Sequence, residues 1–330
     1  LSQESADINL IESFKGKKIA IVGDLMIDAY IWGEVNRMSP EAPVPVVEVN
    51  RREARLGGAG NVALNILALE AEAILVSVSG SKGRKDELVD LLDTAGLSQN
   101  GIVFSENRRT TVKTRIISGG EHKLRVDEEQ TDDISPEEEA QLLGVLGQLT
   151  KEGLDGIILQ DYNKGVLTAS LISQVIDLAI SQDIPTSVDP KLKNFTSYSG
   201  CTLFKPNLKE LNEGLGLGGG SIRLSALDEA VQSLQATMPH KSTLITLSEH
   251  GVYFNENGHS EHLAAHVRDI VDVSGAGDTV IAVATLCLVS GLPMKEIARI
   301  SNLAGGLVCE KVGVVPIDRE ALQPETLSTK

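Results

Sequence analysis

The chain has 330 residues, 42% of them hydrophobic, and carries 46 acidic against 30 basic side chains for a net charge of −16. That length can bury a large core in one domain or in a core with a small accessory element, and the charge argues against a nucleic-acid surface while still allowing an anionic ligand beside a local cluster of bases. Cys201, Cys287 and Cys309 form no CxxC pair, and neither an uninterrupted apolar 18-mer nor a basic-then-apolar leader stands out, so a soluble cytoplasmic protein with buried, reduced thiols and no membrane partner is expected.

Short β-rich runs alternate with helical periods along most of the chain. Residues 18–22 read as the first strand, ending in Gly23-Asp24-Leu25-Met26-Ile27-Asp28. There Asp24 or Asp28 can accept bonds from adjacent hydroxyls, or the segment forms a turn or cap. Residues 30–35 and 44–49 flank a proline-containing turn and interrupt the alternation. Gly57-Gly58-Ala59-Gly60-Asn61 then opens a helix over 61–69, with small residues able to approach a ligand and Asn61 serving as ligand contact or N-cap. A strand at 73–78 and a helix at 86–95 follow, and then a hairpin of 111–117 and 122–126 around Ser118-Gly119-Gly120. The two interruptions are expected to form a lid over the crevice, with an exposed apolar face that favours a homodimer.

Further strands are expected at 156–159, 185–188 and 242–247, giving an α/β fold with a mostly parallel central sheet and a ligand crevice beyond its carboxyl ends. Lys164 and Lys191 follow two of these strand ends, and Arg115 and Arg125 lie on the lid hairpin, so the four bases are candidates for a substrate phosphate. Asn207 and Glu210 can share one side of a helical turn and orient Mg²⁺ through its waters, or they can cap the helix. Residues 212–220 read as a glycine-rich surface excursion, and the histidines show no zinc spacing with cysteine.

Asp272-Val273-Ser274-Gly275-Ala276-Gly277-Asp278-Thr279 is the most informative stretch. It lies between a β-branched strand or turn and the apolar helix 280–289, so helix amides can converge on an anion. Asp278 can then take a proton from a hydroxyl acceptor beside a migrating phosphoryl group, and the helix end is expected to keep its carboxylate ionised. A capping turn is the plain alternative. No GxxxxGK[ST] run exists, and the early GxGxxG-like glycines do not directly follow the first strand.

GGAGN at 57–61, NLKE at 207–210 and DVSGAGDT at 272–279 resemble the ribokinase/PfkB carbohydrate kinase family. GDLMIDAYIWG at 23–33, MSPEAPVPVVEVN at 38–50, QDYNKGVL at 160–167, VDPK at 188–191 and FKPNLKEL at 204–211 resemble its heptose branch, the kinases of the bacterial ADP-heptose pathway. The resemblance implies a ribokinase-like three-layer fold over residues 12–319, lid strands at about 30–50 and 111–126, and a C-terminal tail at 320–330.

It also implies transfer of the ATP γ-phosphoryl group to O1 of D-glycero-D-manno-heptose 7-phosphate, with the β anomer expected. Asp278 matches the family's base, and the amides of Gly275, Ala276 and Gly277 its anion hole. Asn207 and Glu210 match the magnesium and phosphate pair, while Thr246, Ser248, Gly251 and Asn302 match the nucleotide pocket. Asp24, Asp28, Gly58 and Asn61 fall on the sugar side, and Asp272 holds the loop or a monovalent cation. Lys205 departs from the family's usual threonine, and Ser274 from another. If the chain is complete, adenylylation needs a separate nucleotidylyltransferase. A kinase for another sugar is the alternative, and a catalytically silent sugar-nucleotide sensor is a reading of another class.

Overall fold

In the computed structural model, which describes residues 11–217, 222–266 and 268–328, side-chain alternation sets the layers. Along β1 (Lys18–Gly23), Ile19 and Ile21 enter one apolar cluster while Ala20 and Val22 enter another. A strand covered on both faces reads as a continuous apolar run, as a central parallel strand should. After β1 come β2 (Leu25–Met38), β3 (Pro45–Gly58), α1 (Ala59–Ala68), β4 (Glu72–Lys82), α2 (Lys85–Thr94) and β5 (Ile102–Arg109). The next elements are β6 (Thr111–Ser118), β7 (Glu121–Glu128), α3 (Pro136–Lys151), β8 (Gly156–Gln160), α4 (Ala169–Ser181) and β9 (Thr186–Asp189). β10 (Leu203–Phe204), α5 (Leu208–Gly214), α6 (Leu227–Thr237), β11 (Ser242–Thr246), β12 (Val252–Glu256) and β13 (His259–Leu263) follow. The chain closes with α7 (Ala276–Val289), α8 (Met294–Val308) and α9 (Arg319–Ser328).

The main sheet has the order β13-β12-β11-β10-β9-β8-β1-β4-β5, parallel from β11 to β5, with β12 and β13 antiparallel at one edge. Helices α1, α2, α7 and α8 bury their apolar sides in the first cluster, and α3 to α6 in the second, which gives three layers. Local signals agree with these assignments. Ser135 caps α3 in a reciprocal box with Glu138, followed by proline at the first helical turn. Helix α7 is buried from Asp278 to Cys287, as befits a segment apolar on all sides.

The lid is a separate four-stranded sheet, β3-β2-β6-β7. Its strands β2 and β3 are longer than the sequence pattern suggests, because they run unbroken from the ends of β1 and into α1. Gly57 and Gly58 therefore end a strand instead of forming a free turn. A Cβ on Gly57 would stand 2.1 Å from Asp28 Oδ2, so the absent side chain is what admits that carboxylate. The run before the GAGD loop is irregular and not a strand, with Ile270, Val271 and Val273 exposed. The segment read as a C-terminal tail is the helix α9, anchored by the fully buried Leu322; one anchoring leucine shows no periodicity in sequence. Of the segment 212–220 read as a glycine-rich excursion, residues 212–214 close helix α5 and residues 218–220 lie outside the described residues.

Candidate active site

From β1 the chain proceeds through β4 to β5 on one side and through β8 to β11 on the other, which makes the carboxyl ends of β1 and β8 the topological switch point. Polar residues end three neighbouring buried strands there: Gln160 in β8, Asp189 in β9 and Lys205 after β10. Helix α7 starts over the same point and brings Asp278 in its first turn.

Asp278 is 4% exposed. Its Oδ2 accepts from Asn61 Nδ2 at 2.7 Å, and its Oδ1 accepts from Gln160 Nε2 at 2.9 Å and the Tyr162 hydroxyl at 2.7 Å. Burial pushes its pKa from the ordinary 3.8 up to about 6, against the donors Asn61 and Tyr162; Asp189 adds to the rise and Lys205 opposes it. The helix end is expected from the sequence to keep this carboxylate ionised, and loss of water works against it. The carboxylate is still mostly ionised at neutral pH and is well matched to accepting a proton there.

Gly275 caps α7 with φ +82°, and a Cβ on it would stand 2.9 Å from Asn61 Nδ2, displacing the amide that holds Asp278. The N–H groups of Gly275, Gly277 and Asp278 have no protein acceptor among the described residues. Ala276 differs from expectation, because its N–H closes a turn onto Val273 O at 3.3 Å. Asp272 holds this loop: its Oδ1 accepts from Ser274 N and its Oδ2 from Gly313 N, both at 2.9 Å. Burial raises the Asp272 pKa, but those bonds bring the carboxyl below its usual range. Beneath the loop, Lys205 pairs with Asp189 at 3.1 Å, both buried, and each reaches to 3.8 Å of the Cβ position of Gly277.

The expected sugar-side residues divide in two. Asp28 faces the crevice from β2 and pairs with Arg115, while Tyr30 on the same face accepts from Val314 N at 3.2 Å. Asp24 is 1% exposed, and its carboxylate accepts three backbone N–H groups, from Tyr162, Lys164 and Val166, at 2.7 to 3.1 Å. It therefore anchors the loop that carries Tyr162, the turn-forming alternative. Gly58 lies against the Asp24 carbonyl, and Asn61 gives its side-chain amide to Asp278. Arg125 turns to Asp127, Lys164 to Glu129 and Lys191 to Glu210.

Asn207 and Glu210 form a reciprocal capping box at the start of α5. Asn207 also bridges to Thr246 at the end of β11, next to Ser248 and Gly251 in the following turn. Asn302 on α8 donates to Ala264 O at 2.9 Å. No group of three or more His, Cys, Asp or Glu side chains among the described residues could hold a metal ion. With one carboxylate already paired to Lys191, this donor set fits an ion that arrives on phosphates with its own waters, not a protein cage.

Residues 16–320 match the profile of the pfkB family of carbohydrate kinases. The chain belongs to that family. Bifunctional protein HldE of Helicobacter pylori J99 is 40% identical over 297 residues, covering 90% of this chain and 64% of its own length. The Trichlorobacter lovleyi protein of the same name is 40% identical over 299 residues, covering 90% and 60%. The chain thus spans about 60 to 64% of these two relatives. Among solved pfkB-like folds, phosphofructokinase-2 from Escherichia coli in complex with potassium superposes with a TM-score of 0.76 at 19% identity, over 94% of this chain and 98% of that one. Arabidopsis thaliana ribokinase complexed with ribose and ATP gives 0.72 at 17% identity, over 96% and 100%.

Gln160, Tyr162, Asp189 and Lys205 were not assigned roles from the sequence of this pfkB protein, although all lie in the quoted motifs. The available signal was a polar residue at or just beyond the end of a short apolar run, as Gln160 follows Gly156-Ile157-Ile158-Leu159 and Lys205 follows Leu203-Phe204; β9, Thr186-Ser187-Val188-Asp189, gives no such run. The Asn61 contact makes a direct prediction. Asn61→Leu keeps the volume but removes a donor to the charged form of Asp278. The acid limb of the kcat/KM profile, expected at about 6, should move up by about one to two pH units. An unmoved limb in a folded variant shows that another group controls it.

Proposed function

We propose that the chain transfers the γ-phosphoryl group of ATP to O1 of D-glycero-D-manno-heptose 7-phosphate, giving the 1,7-bisphosphate, β anomer expected, toward ADP-heptose. The observation that carries the reading is Asp278, a buried carboxylate ionising at about 6 beside helix amides without acceptors. Oδ2, bonded only to Asn61, is its less occupied oxygen and the one suited to take the O1 proton. As the acceptor oxygen attacks phosphorus and ADP departs, charge on the transferring group meets the N–H groups of Gly275 and Gly277 at the end of α7, with Lys205 below them. Mg²⁺ bound with ATP neutralises phosphate charge. Asn207 and Glu210 are the residues that fit it through water, and Thr246, Ser248, Gly251 and Asn302 fall on the nucleotide side.

The heptose assignment rests on similarity to the HldE proteins together with a lid whose crevice face carries Lys113, Arg115 and Arg125. A homodimer through the lid is supported by its opposite face, where exposed Leu124 and Val126 lie in register with Ile116 and Thr114. No helix among the described residues is long and apolar enough to cross a membrane.

The test compares kcat/KM for heptose 7-phosphate, unphosphorylated heptose, fructose 6-phosphate and ribose with ATP and Mg²⁺, and places the product phosphates by NMR. A 1,7-bisphosphate from the preferred acceptor is expected. Preference for fructose 6-phosphate or ribose rejects the heptose assignment and keeps the kinase. Tight binding of ATP and sugar without product favours a sensor.

A further inference from the structure

The register of the lid places five bases on its crevice face beside Asp28, Tyr30 and Trp32: Arg51, Arg55, Lys113, Arg115 and Arg125. Four of them have a carboxylate within ion-pairing reach. Arg51 and Arg55 share Glu53, Arg115 holds Asp28 and Arg125 holds Asp127. Lys113 has none among the described residues. This is unusual in a chain with net charge −16, where a half-buried ammonium has many acids to choose from.

Its surroundings make the lack of a partner costly. Lys113 Nζ lies 5.3 Å from the centroid of the Tyr162 ring, whose hydroxyl bonds the base. Burial and the charge of Lys164 hold the Lys113 pKa below its ordinary value, against Asp28, Glu129 and Asp127. Lys164 is itself paired with Glu129 at 2.9 Å. A dianion entering here would relieve both the desolvation and the repulsion between the two lysines.

The position also separates two sources of phosphate. Lys113 is the cross-strand partner of Asp28, on the lid side of Tyr162. Lys191, also 5.4 Å from that ring, is paired with Glu210 of the NLKE turn on the nucleotide side. The Tyr162 ring is thus within reach of two cations, Lys113 on the lid, with no carboxylate partner among the described residues, and Lys191, paired with Glu210 of the NLKE turn.

We propose that Lys113 binds the phosphomonoester already present on the acceptor sugar, and so selects a sugar phosphate over a free sugar. The proposal rests on the sugar-kinase reading and adds the subsite that reads the acceptor's phosphate. Without Lys113, the ratio of kcat/KM for heptose 7-phosphate over unphosphorylated heptose should fall about 10- to 100-fold, the worth of one charge-assisted bond. Lys113→Met and Lys113→Gln test this, with Lys113→Arg expected to recover most of the ratio. The KM for ATP is followed in parallel, and thermal melts establish that the variants fold.

An equal loss on both acceptors overturns the proposal, because it marks a support role for Tyr162. A loss confined to the ATP KM also overturns it, since it assigns Lys113 to the donor. If the wild-type protein prefers a different sugar phosphate and Lys113→Met erases that preference, the subsite stands while the heptose assignment falls. If the wild-type protein shows no preference for phosphorylated acceptors, the subsite falls even where kinase activity remains.

Discussion

Asp278→Asn is expected to lower kcat by roughly 10²- to 10⁴-fold, the usual contribution of a positioned base, while making the protein more stable at neutral pH. The two effects have one cause. Burial raises the Asp278 pKa from 3.8 to about 6, so the folded protein binds the proton more tightly than the unfolded chain does. Stability is therefore lost as pH rises from about 4 to about 6, and the full penalty, of the order of 3 kcal/mol, is present above that. An asparagine has no charge to desolvate and keeps most of the shape between Asn61, Gln160 and Tyr162. The difference in Tm between variant and wild type should grow from pH 4 to pH 6 and then level off. Asp161, which burial and neighbouring Asp24 also raise to about 6, titrates in both proteins and cancels in the difference. Near-wild-type turnover in the variant would remove Asp278 from the chemistry, and a pH-independent Tm difference would remove the burial argument.

The same balance explains what could be read from sequence. The placing of Gly275, Gly277 and Asp278 at the start of a buried helix was legible because a glycine-rich run directly precedes an apolar segment. The three layers were legible because strands covered on both faces, such as β1 and β8, leave apolar runs. Strands β5, β10, β12 and β13 left weaker marks. β10 has two residues, and β13 is an edge strand in which polar side chains are tolerated.

Side-chain partners were the hidden part. Asp24 and Asp28 are four residues apart and look equivalent in sequence, yet one ends on three backbone amides and the other on Arg115. Only the path of residues 162–166 over the end of β1 decides between them. Asn207 and Glu210 likewise satisfy each other as a capping box, which a sequence cannot distinguish from a phosphate-organising pair, and a bound nucleotide can use the same turn.

Lys205 carries the second large effect. Its side chain is 3% exposed and that of Asp189 6%, so Lys205→Met should strand a buried carboxylate and destabilise the protein by about 3–5 kcal/mol. Gln160 Nε2, at 3.4 Å from Asp189, is too distant to compensate. Neutralising both partners in Lys205→Met/Asp189→Asn should recover much of that loss, so denaturant unfolding of the two single variants and the double closes a thermodynamic cycle. The pair also lies under Gly277 and acts on the base with opposite signs, Lys205 lowering the Asp278 pKa and Asp189 raising it. The acid limb of kcat/KM should consequently move up in Lys205→Met and down in Asp189→Asn. Lost packing alone would change stability without displacing the limb in opposite directions, so two limbs that stay together would reduce the pair to a structural ion pair. If Lys205→Met proves too unstable to assay, Asp189→Asn and the double variant still determine the sign: a downward shift in the first, largely cancelled in the second, is the outcome that places Lys205 in the electrostatics of the phosphoryl site.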